Sequence, residues 1–294
     1  YNHEWKGWSN NDLVFSTDGE TKVLKSDLVV FALGGASWKV TGSVGNWTSY
    51  FEEKGIQIIP FYPSNCAYKI NWNQEIVKQI SGQALKNCEF SCGNMHKKGE
   101  AVLTDFGIEG SGIYGLSKEI REQLTNFMYR HPELDSGSNE MLNQVQHDQT
   151  KSVAELFIDF KPELSLQEIQ NRFENKGKLS IKDVLEKKIN LSSVQIQLLK
   201  YKTTKEEYNQ PKTISLLIKK FPLILTDFAP LDDAISTVGG IELAEVNDNL
   251  ELKKLPNHYC MGEMLDWDAP TGGYLLQACF SMGKFVADKI NQKL

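Results

Sequence analysis

Apolar and polar positions repeat with different periods in successive parts of this chain. Near the N-terminus the pattern is short and strand-like. Leu13-Val14-Phe15, a Thr17-Asp18-Gly19 turn and Lys22-Val23-Leu24 predict a hairpin with polar connections. Leu28 to Leu33 is a continuous apolar run, the pattern of a strand buried on both faces of a parallel sheet. It ends in Gly34-Gly35-Ala36-Ser37. Trp47 to Lys54 predicts a short helix closed by Gly55, and Ile56 to Pro60 leaves it extended, with Pro60 and Pro63 marking a boundary. Runs at 66–70, 88–92 and 100–104, punctuated by Gly93-Asn94 and Lys98-Gly99, predict a small sheet or barrel. Ser117 to Met128 predicts a helix.

Arg130 to Thr150 has no clean period and predicts a flexible surface excursion, so His131 and His147 are assigned no function. Its HPELDSGSNEMLNQVQHD resembles peptides encoded by bacterial palindromic repeats. From 163 to 225 the period turns helical. Ser165 and Glu168 form a candidate capping box, and further helices are predicted at 179–185, from Val194 to Leu199, and from Ile214 to Lys220 before Phe221-Pro222. Leu231 to Val238 predicts a short helix and Gly239-Gly240 a turn. Strands are then expected at 241–243 and 250–252, around Asn247-Asp248-Asn249.

The last stretch organises the rest. His258 to Met261 has the look of a buried strand's tail, and Leu276, Cys279, Phe280, Gly283, Val286, Ala287 and Ile290 recur at helical spacing. Between them lie Glu263, Asp266 and Asp268, then Pro270, then Gly272-Gly273. The carboxylates of such a corner accept hydrogen bonds from sugar or polyol hydroxyls, and the free N–H groups of the helix start face an electron-rich ring. An ordinary strand–turn–helix connection with solvated carboxylates has the same pattern.

Charge and composition narrow the choice. The 294 residues carry a net charge of −6, with 40% hydrophobic and 24% charged residues, which predicts a soluble globular chain of about two domains. No basic excess exists to neutralise phosphates, so nucleic acid and anionic membrane are excluded as partners. Five cysteines, an odd number, predict reduced thiols and a cytoplasmic location. Cys88 and Cys92 are followed by no second pair at metal-ligand spacing, so no metal site is expected. Cys260 and Cys279 are expected to be core packing. The histidines are scattered, and no catalytic acid or base is assigned.

GEMLDWDAPTGGYLLQA resembles the C-terminal flavin-contacting signature of the YhiN/BaiN-like family of NAD(P)/FAD-dependent oxidoreductases. ALGGASW, continued by Gly42-Ser43-Val44-Gly45, resembles that family's second glycine motif. Thr104 to Gly110 resembles a glycine-rich family loop, or equally a plain glycine hairpin. The resemblance runs from HEWKGW to Phe285, apart from residues 131 to 149. It implies an α/β fold: a partial FAD/NAD(P)-binding Rossmann-like domain with an inserted small β-barrel and a helical subdomain. Residues 1–62 and 230–294 would form the FAD-binding domain. Residues 63–162 would form the β-rich insert, with the extra loop at 131–149, and 163–229 the helical part. Gly34, Gly35 and Ser37 would line FAD. Gly262, Glu263 and Asp266 would address its ribityl or ribose hydroxyls. Gly272, Gly273 and Tyr274 would present backbone N–H groups to the pyrimidine end of the ring.

Family members hold the FAD pyrophosphate on a strand–GxGxxG–helix unit; the glycine-rich stretch Gly107 to Gly115 contains such a glycine spacing at 110–115 but follows no Rossmann-type strand, so no such unit is expected in these residues. The expectation is therefore a flavin-side fragment of an oxidoreductase that passes hydride from NAD(P)H to a small organic acceptor. As it stands the fragment should bind FAD weakly or not at all. The alternatives are an inactive truncated remnant and an RNA-modifying flavoprotein, the latter disfavoured by the acidic charge.

Overall fold

The computed structural model describes residues 2–125 and 152–293. The chain divides into two compact units, Tyr1–Cys66 with Ala229–Leu294, and Ala67–Phe228. The excursion predicted at 130–150 lies outside the described residues.

The first unit opens with an antiparallel meander, β1 (Glu4–Ser9), β2 (Asp12–Thr17) and β3 (Glu20–Leu24), one strand more than the predicted hairpin. Trp5 and Trp8 on β1 stand edge to face with ring centroids 4.9 Å apart, and both pack on Phe31 and Phe51. The expected doubly buried strand is only three residues long, β4 (Val29–Phe31). Val29 and Phe31 are buried, but Val30 is 39% exposed. The reason is that β4 has one neighbour among the described strands, so one face and one edge stay open. Helix α1 (Thr48–Glu53) follows as predicted, its Phe51 fully buried. Strand β5 (Ile58–Ser64) then runs through both Pro60 and Pro63. Proline is tolerated there because β5 pairs along one side only, and a missing N–H on the other side breaks no ladder.

The second unit contains an antiparallel sheet and a helical segment. Strand β6 (Tyr68–Lys69) leads to helix α2 (Gln74–Ile80), which the sequence pattern did not predict; Asn73 caps it by accepting a hydrogen bond from Ile76 N–H at 2.9 Å. β7 (Ala84–Cys92) and β8 (Met95–Leu103) form a long hairpin turned at Gly93-Asn94. The other predicted turn, Lys98-Gly99, lies inside β8, with Gly99 opposite Cys88 where the β7 register shifts. β9 (Gly107–Glu109), α3 (Ser111–Tyr114), α4 (Ser117–Thr125) and β10 (Ala154–Asp159) come next. Helices α5 (Leu166–Glu174), α6 (Ile181–Asp183, continued as a π turn to Lys188), α7 (Ser193–Lys202), α8 (Lys205–Tyr208) and α9 (Pro211–Lys219) precede β11 (Phe221–Leu225) and β12 (Asp227–Phe228). The described strands lie in the order β11-β10-β7-β8-β9-β6-β12. The two ends of that order are separated in sequence by the single residue Thr226.

The predicted capping box at Ser165 and Glu168 is formed, and three more start helices at Ser180, Ser192 and Thr204. In the second of these, the Lys187 ammonium and the Ser180 hydroxyl hold the Asp183 carboxyl down to about 2. Because the folded value is depressed, this group's stabilisation is present above the unfolded carboxylate value and is lost as pH falls toward 2. Asp183→Asn should therefore melt below the wild type by a small, constant margin above about pH 4. That margin should close on further acidification, which a series of melting curves from pH 2 to 7 would show.

The chain re-enters the first unit with a correction. Leu231 to Val238 is not a helix: one 3₁₀ turn at Leu231–Asp233 gives way to β13 (Ser236–Ile241), antiparallel to β5. Gly239-Gly240 lies within that strand rather than in a turn, at a register shift where Gly239 faces both Pro60 and Phe61 of β5, a bulge with its extra residue on β5. The expected strands at 241–243 and 250–252 reduce to the end of β13, a 3₁₀ turn at Leu243–Glu245 and isolated bridges such as Val246 to Leu252. There the Asn247 side chain accepts from the N–H groups of Asn249 and Glu251, closing the segment into a loop before a ladder forms. β14 (His258–Cys260) pairs in parallel with β4, in register from His258–Val29 to Cys260–Phe31. The chain then ends in the long helix α10 (Tyr274–Lys293). Val29, Phe31, Trp47, Phe51, Ile241, Cys260, Met264 and Leu265 share one core beneath this parallel pair. No described helix is long and apolar enough to cross a membrane.

Candidate functional site

The parallel pair of β4 and β14 brings two turns together at its carboxyl end, where open α/β sheets bind ligands. The first turn is Gly34–Ser37. Trp47 donates its indole N–H to Gly34 O at 3.1 Å, and the Ser43 hydroxyl donates to Gly35 O. The second is the 3₁₀ turn Gly262–Met264, anchored by Trp267 Nε1 donating to Gly262 O at 2.9 Å. A Cβ built on Gly35 would lie 2.1 Å from Thr237 Oγ1 and 2.9 Å from Glu263 Cδ. The two turns and β13 therefore meet with no room for a side chain at that point.

The carboxylates are partly engaged by the protein. Glu263 Oε1 accepts from Thr237 N–H at 2.8 Å and from its hydroxyl at 3.2 Å. Asp266 Oδ1 accepts from Gly239 N–H at 3.0 Å. Asp268, the third acidic residue of the corner, accepts from the Ser64 hydroxyl at 2.5 Å. Replacing Asp266 with Ala should cost about 1–3 kcal/mol, since it orphans the Gly239 N–H at the bulge. Asp266→Asn, which keeps an acceptor oxygen, should recover most of that loss in the same denaturant titration.

A cleft of about 250 Å³ opens beside these turns, lined by Ala32, Gly34, Met261, Gly262, Glu263, Leu275, Leu276 and Cys279. Of the residues expected from the sequence, Gly34, Gly262 and Glu263 share this cleft. Gly35 lies buried behind it, and Ser37 and Asp266 are half-buried on its flanking turns. Gly272, Gly273 and Tyr274 sit exposed at the start of α10, where Gln277 N–H already bonds back to Gly273 O. Leu275 and Leu276, one and two residues further on, are the ones that reach the cleft wall. A second cleft of about 450 Å³ is lined by Leu33 and Gly42–Val44 together with His3, Trp5 and Trp47. Trp5 Nε1 is buried there with no hydrogen-bond partner. Thr237 and Met261 were not singled out in the sequence; nothing local marks a β-strand threonine as the partner of a carboxylate 26 residues away.

The loop after Ser37 is also unusual. Trp38 has φ 54° and ψ 59°, the left-handed region, which costs a bulky residue on the order of 1–3 kcal/mol. Asp232 holds it: its Oδ1 accepts from Lys39 N–H at 2.7 Å, and its backbone O accepts from Trp38 N–H at 3.3 Å.

All five cysteines are free thiols. Burial pushes Cys88 and Cys92 up to about 11 and raises Cys260 further. Cys279 is raised as well, by burial first and then by the Glu263 charge, but it is only partly buried. It should be the first cysteine labelled by a thiol reagent under native conditions, at a rate that climbs steeply from pH 7 to 9. Peptide mass spectrometry after brief alkylation would check the order.

The sequence matches the family described as "HI0933-like protein Rossmann domain" over residues 1–289. It is 22% identical over 281 residues to the 3-dehydro-bile acid delta(4,6)-reductase of Clostridium scindens, covering 94% of this chain and 64% of that protein. Among solved structures it resembles a 3-ketosteroid delta1-dehydrogenase from Sterolibacterium denitrificans in complex with 1,4-androstadiene-3,17-dione. That likeness has a TM-score of 0.40 and 14% identity, and covers all of this chain and 59% of that one. The chain thus spans about two thirds of the curated relative's length.

Proposed function

The chain belongs to the family of HI0933-like proteins with a Rossmann domain, and from that premise we propose that it is the flavin-side part of an FAD-dependent oxidoreductase. The carrying observation is the junction of Gly34–Ser37, Thr237 and Gly262–Asp266 at the carboxyl end of the parallel β4–β14 pair. The curated relative named as a reductase supports the redox reading.

The residues present fit a flavin. Glu263 spends Oε1 on Thr237, and Oε2 stays available to a ribityl or ribose hydroxyl. The first N–H groups of α10 follow an exposed Gly272-Gly273 pair, and such a helix start suits the electron-rich pyrimidine edge. Met261, Leu275, Leu276 and Cys279 offer an apolar wall that would shield the ring side of a bound flavin. A bound flavin supplies two-electron chemistry, here hydride taken from NAD(P)H and given to a small organic acceptor. The chain's own part is to bind, orient and desolvate. No side chain is assigned as proton donor.

No Rossmann-type pyrophosphate-binding unit is found among the described residues: the one GxGxxG string, Gly110–Gly115, follows the antiparallel strand β9 and opens only the four-residue helix α3. The second edge of β4, which no described strand pairs, and the half-exposed Val30 suit a further parallel strand carrying such a unit. The chain alone is therefore expected to hold FAD weakly. The same lack of a Rossmann-type pyrophosphate unit favours, as second reading, a remnant with no activity of its own. We place the protein in the cytoplasm, on its five free thiols.

The test is the visible spectrum of the purified chain and of a version extended upstream in its reading frame. Bands near about 370 and 450 nm in the extended form alone are expected. Retention of both bands by the 294-residue chain would overturn its incompetence for FAD. Their absence from both would leave the remnant.

A further inference from the structure

Among the described residues, the non-glycine positions with positive φ are all Asn or Asp except Trp38 and Leu250. Asn and Asp tolerate that region; a bulky aromatic does not. Leu250 is held by packing against the core of its unit. Trp38 has no such compensation, for its side chain is 53% exposed. Among the described residues, no ring stacks on its indole and no group bonds to it. The turn itself needs no side chain at this position. Its hydrogen bonds run from the Trp38 and Lys39 N–H groups to Asp232, and from Thr41 back to Trp38 O. Glycine would satisfy every one of them without strain.

A strained, exposed indole directly after Gly34–Ser37, clamped from behind by Asp232, is what a ligand platform requires. We infer that Trp38 is the apolar wall of the acceptor site, stacking its indole face on a planar ring molecule at the Gly34–Ser37 edge. Val40 and Val44, both exposed on the same loop, extend the apolar surface. The ligand class is a flat, largely apolar ring compound; an open-chain acceptor would gain nothing from an indole face. This inference rests on the flavin reading for what stands beside the ligand, not for the platform itself.

The probe is anthraquinone-2-sulfonate, a flat water-soluble quinone that accepts electrons and quenches indole emission. Its binding is measured by equilibrium dialysis against the wild-type chain, Trp38→Phe and Trp38→Gly, with a parallel FAD titration and thermal melts. Trp38→Gly is expected to bind the quinone roughly tenfold more weakly. Trp38→Phe, which keeps a ring, should lose less than about threefold. Trp38→Gly should melt at or above the wild-type temperature, because glycine relieves the left-handed backbone. Quenching should fall on an emission component that Trp38→Phe lacks. Unchanged quinone binding in Trp38→Gly, or a lowered melting temperature with binding intact, overturns the inference and makes Trp38 a fold residue. If the wild type takes up quinone through Trp38 but neither it nor an upstream-extended form binds FAD, the flavin reading fails and the platform stands. If the extended form binds FAD while quinone binding ignores Trp38, the reverse holds.

Discussion

Alanine in place of Gly35 is expected to abolish flavin uptake and to lower the stability of the unit formed by residues 1–66 and 229–294 by about 1–3 kcal/mol. The added Cβ would stand 2.1 Å from Thr237 Oγ1, inside any real contact, and 2.9 Å from Glu263 Cδ. Neither neighbour is free to swing away. Thr237 is buried in β13 and bonds to Glu263 through both its N–H and its hydroxyl, so moving either side chain breaks that pair. The carboxylate offered to a cofactor hydroxyl would be displaced by the same step. The double variant Gly35→Ala with Thr237→Ala removes the nearest atom and should regain part of the stability but not the flavin, because Glu263 then loses a donor. Thermal melts and visible spectra of an upstream-extended protein would check both statements. A Gly35→Ala protein that melts and binds flavin as the wild type does would show that the two turns do not close on each other as described.

The second large effect is expected at Gly107, in the other unit. A Cβ there would meet the Tyr68 carbonyl oxygen at 1.8 Å and Lys69 Cα at 3.0 Å. Both are backbone atoms of β6, which pairs with β9 through Lys69 and Gly107, so no rotamer change relieves the clash. Gly107→Ala should separate β6 from β9, and with β6 goes β12, which pairs only with it among the described strands. A cost of about 3 kcal/mol, the upper end for overpacking, is expected. Hydrogen exchange should place the lost protection in residues 67–228. An unaltered exchange pattern would refute it.

What could be foreseen from the sequence divides along one physical line. The final strand, turn and helix were readable because each is set by neighbours in the chain: three apolar residues, an acidic turn, a glycine pair and a helical stripe. The same holds for Ser165 and Glu168, whose reciprocal bonds span three residues. Gly239-Gly240 was not readable. A glycine pair reads as a turn, and only its position opposite Pro60 and Phe61, on a strand far away in sequence, makes it the partner of a bulge inside a ladder. The run Leu28 to Leu33 failed for a related reason: hydrophobicity shows that a strand wants cover on both sides, not that both sides receive it. At the site, the glycines were marked by composition. Thr237, which ties Glu263 in place, was hidden in an unremarkable β-branched stretch.

The division of the first unit into residues 1–66 and 229–294 also sets an order of events at the ribosome. Strand β4 emerges early, yet its only described partner, β14, is encoded more than 200 residues later. At 5–20 residues per second, the intervening stretch takes about 11–45 s to synthesise. The segment 67–228 is continuous and can collapse on its own during that interval. Meanwhile Trp5, Trp8 and Phe31 wait on the nascent chain with half their core unmade. A chaperone that captures this protein during translation should engage that aromatic cluster, and should let go only once the C-terminal helix has left the exit tunnel.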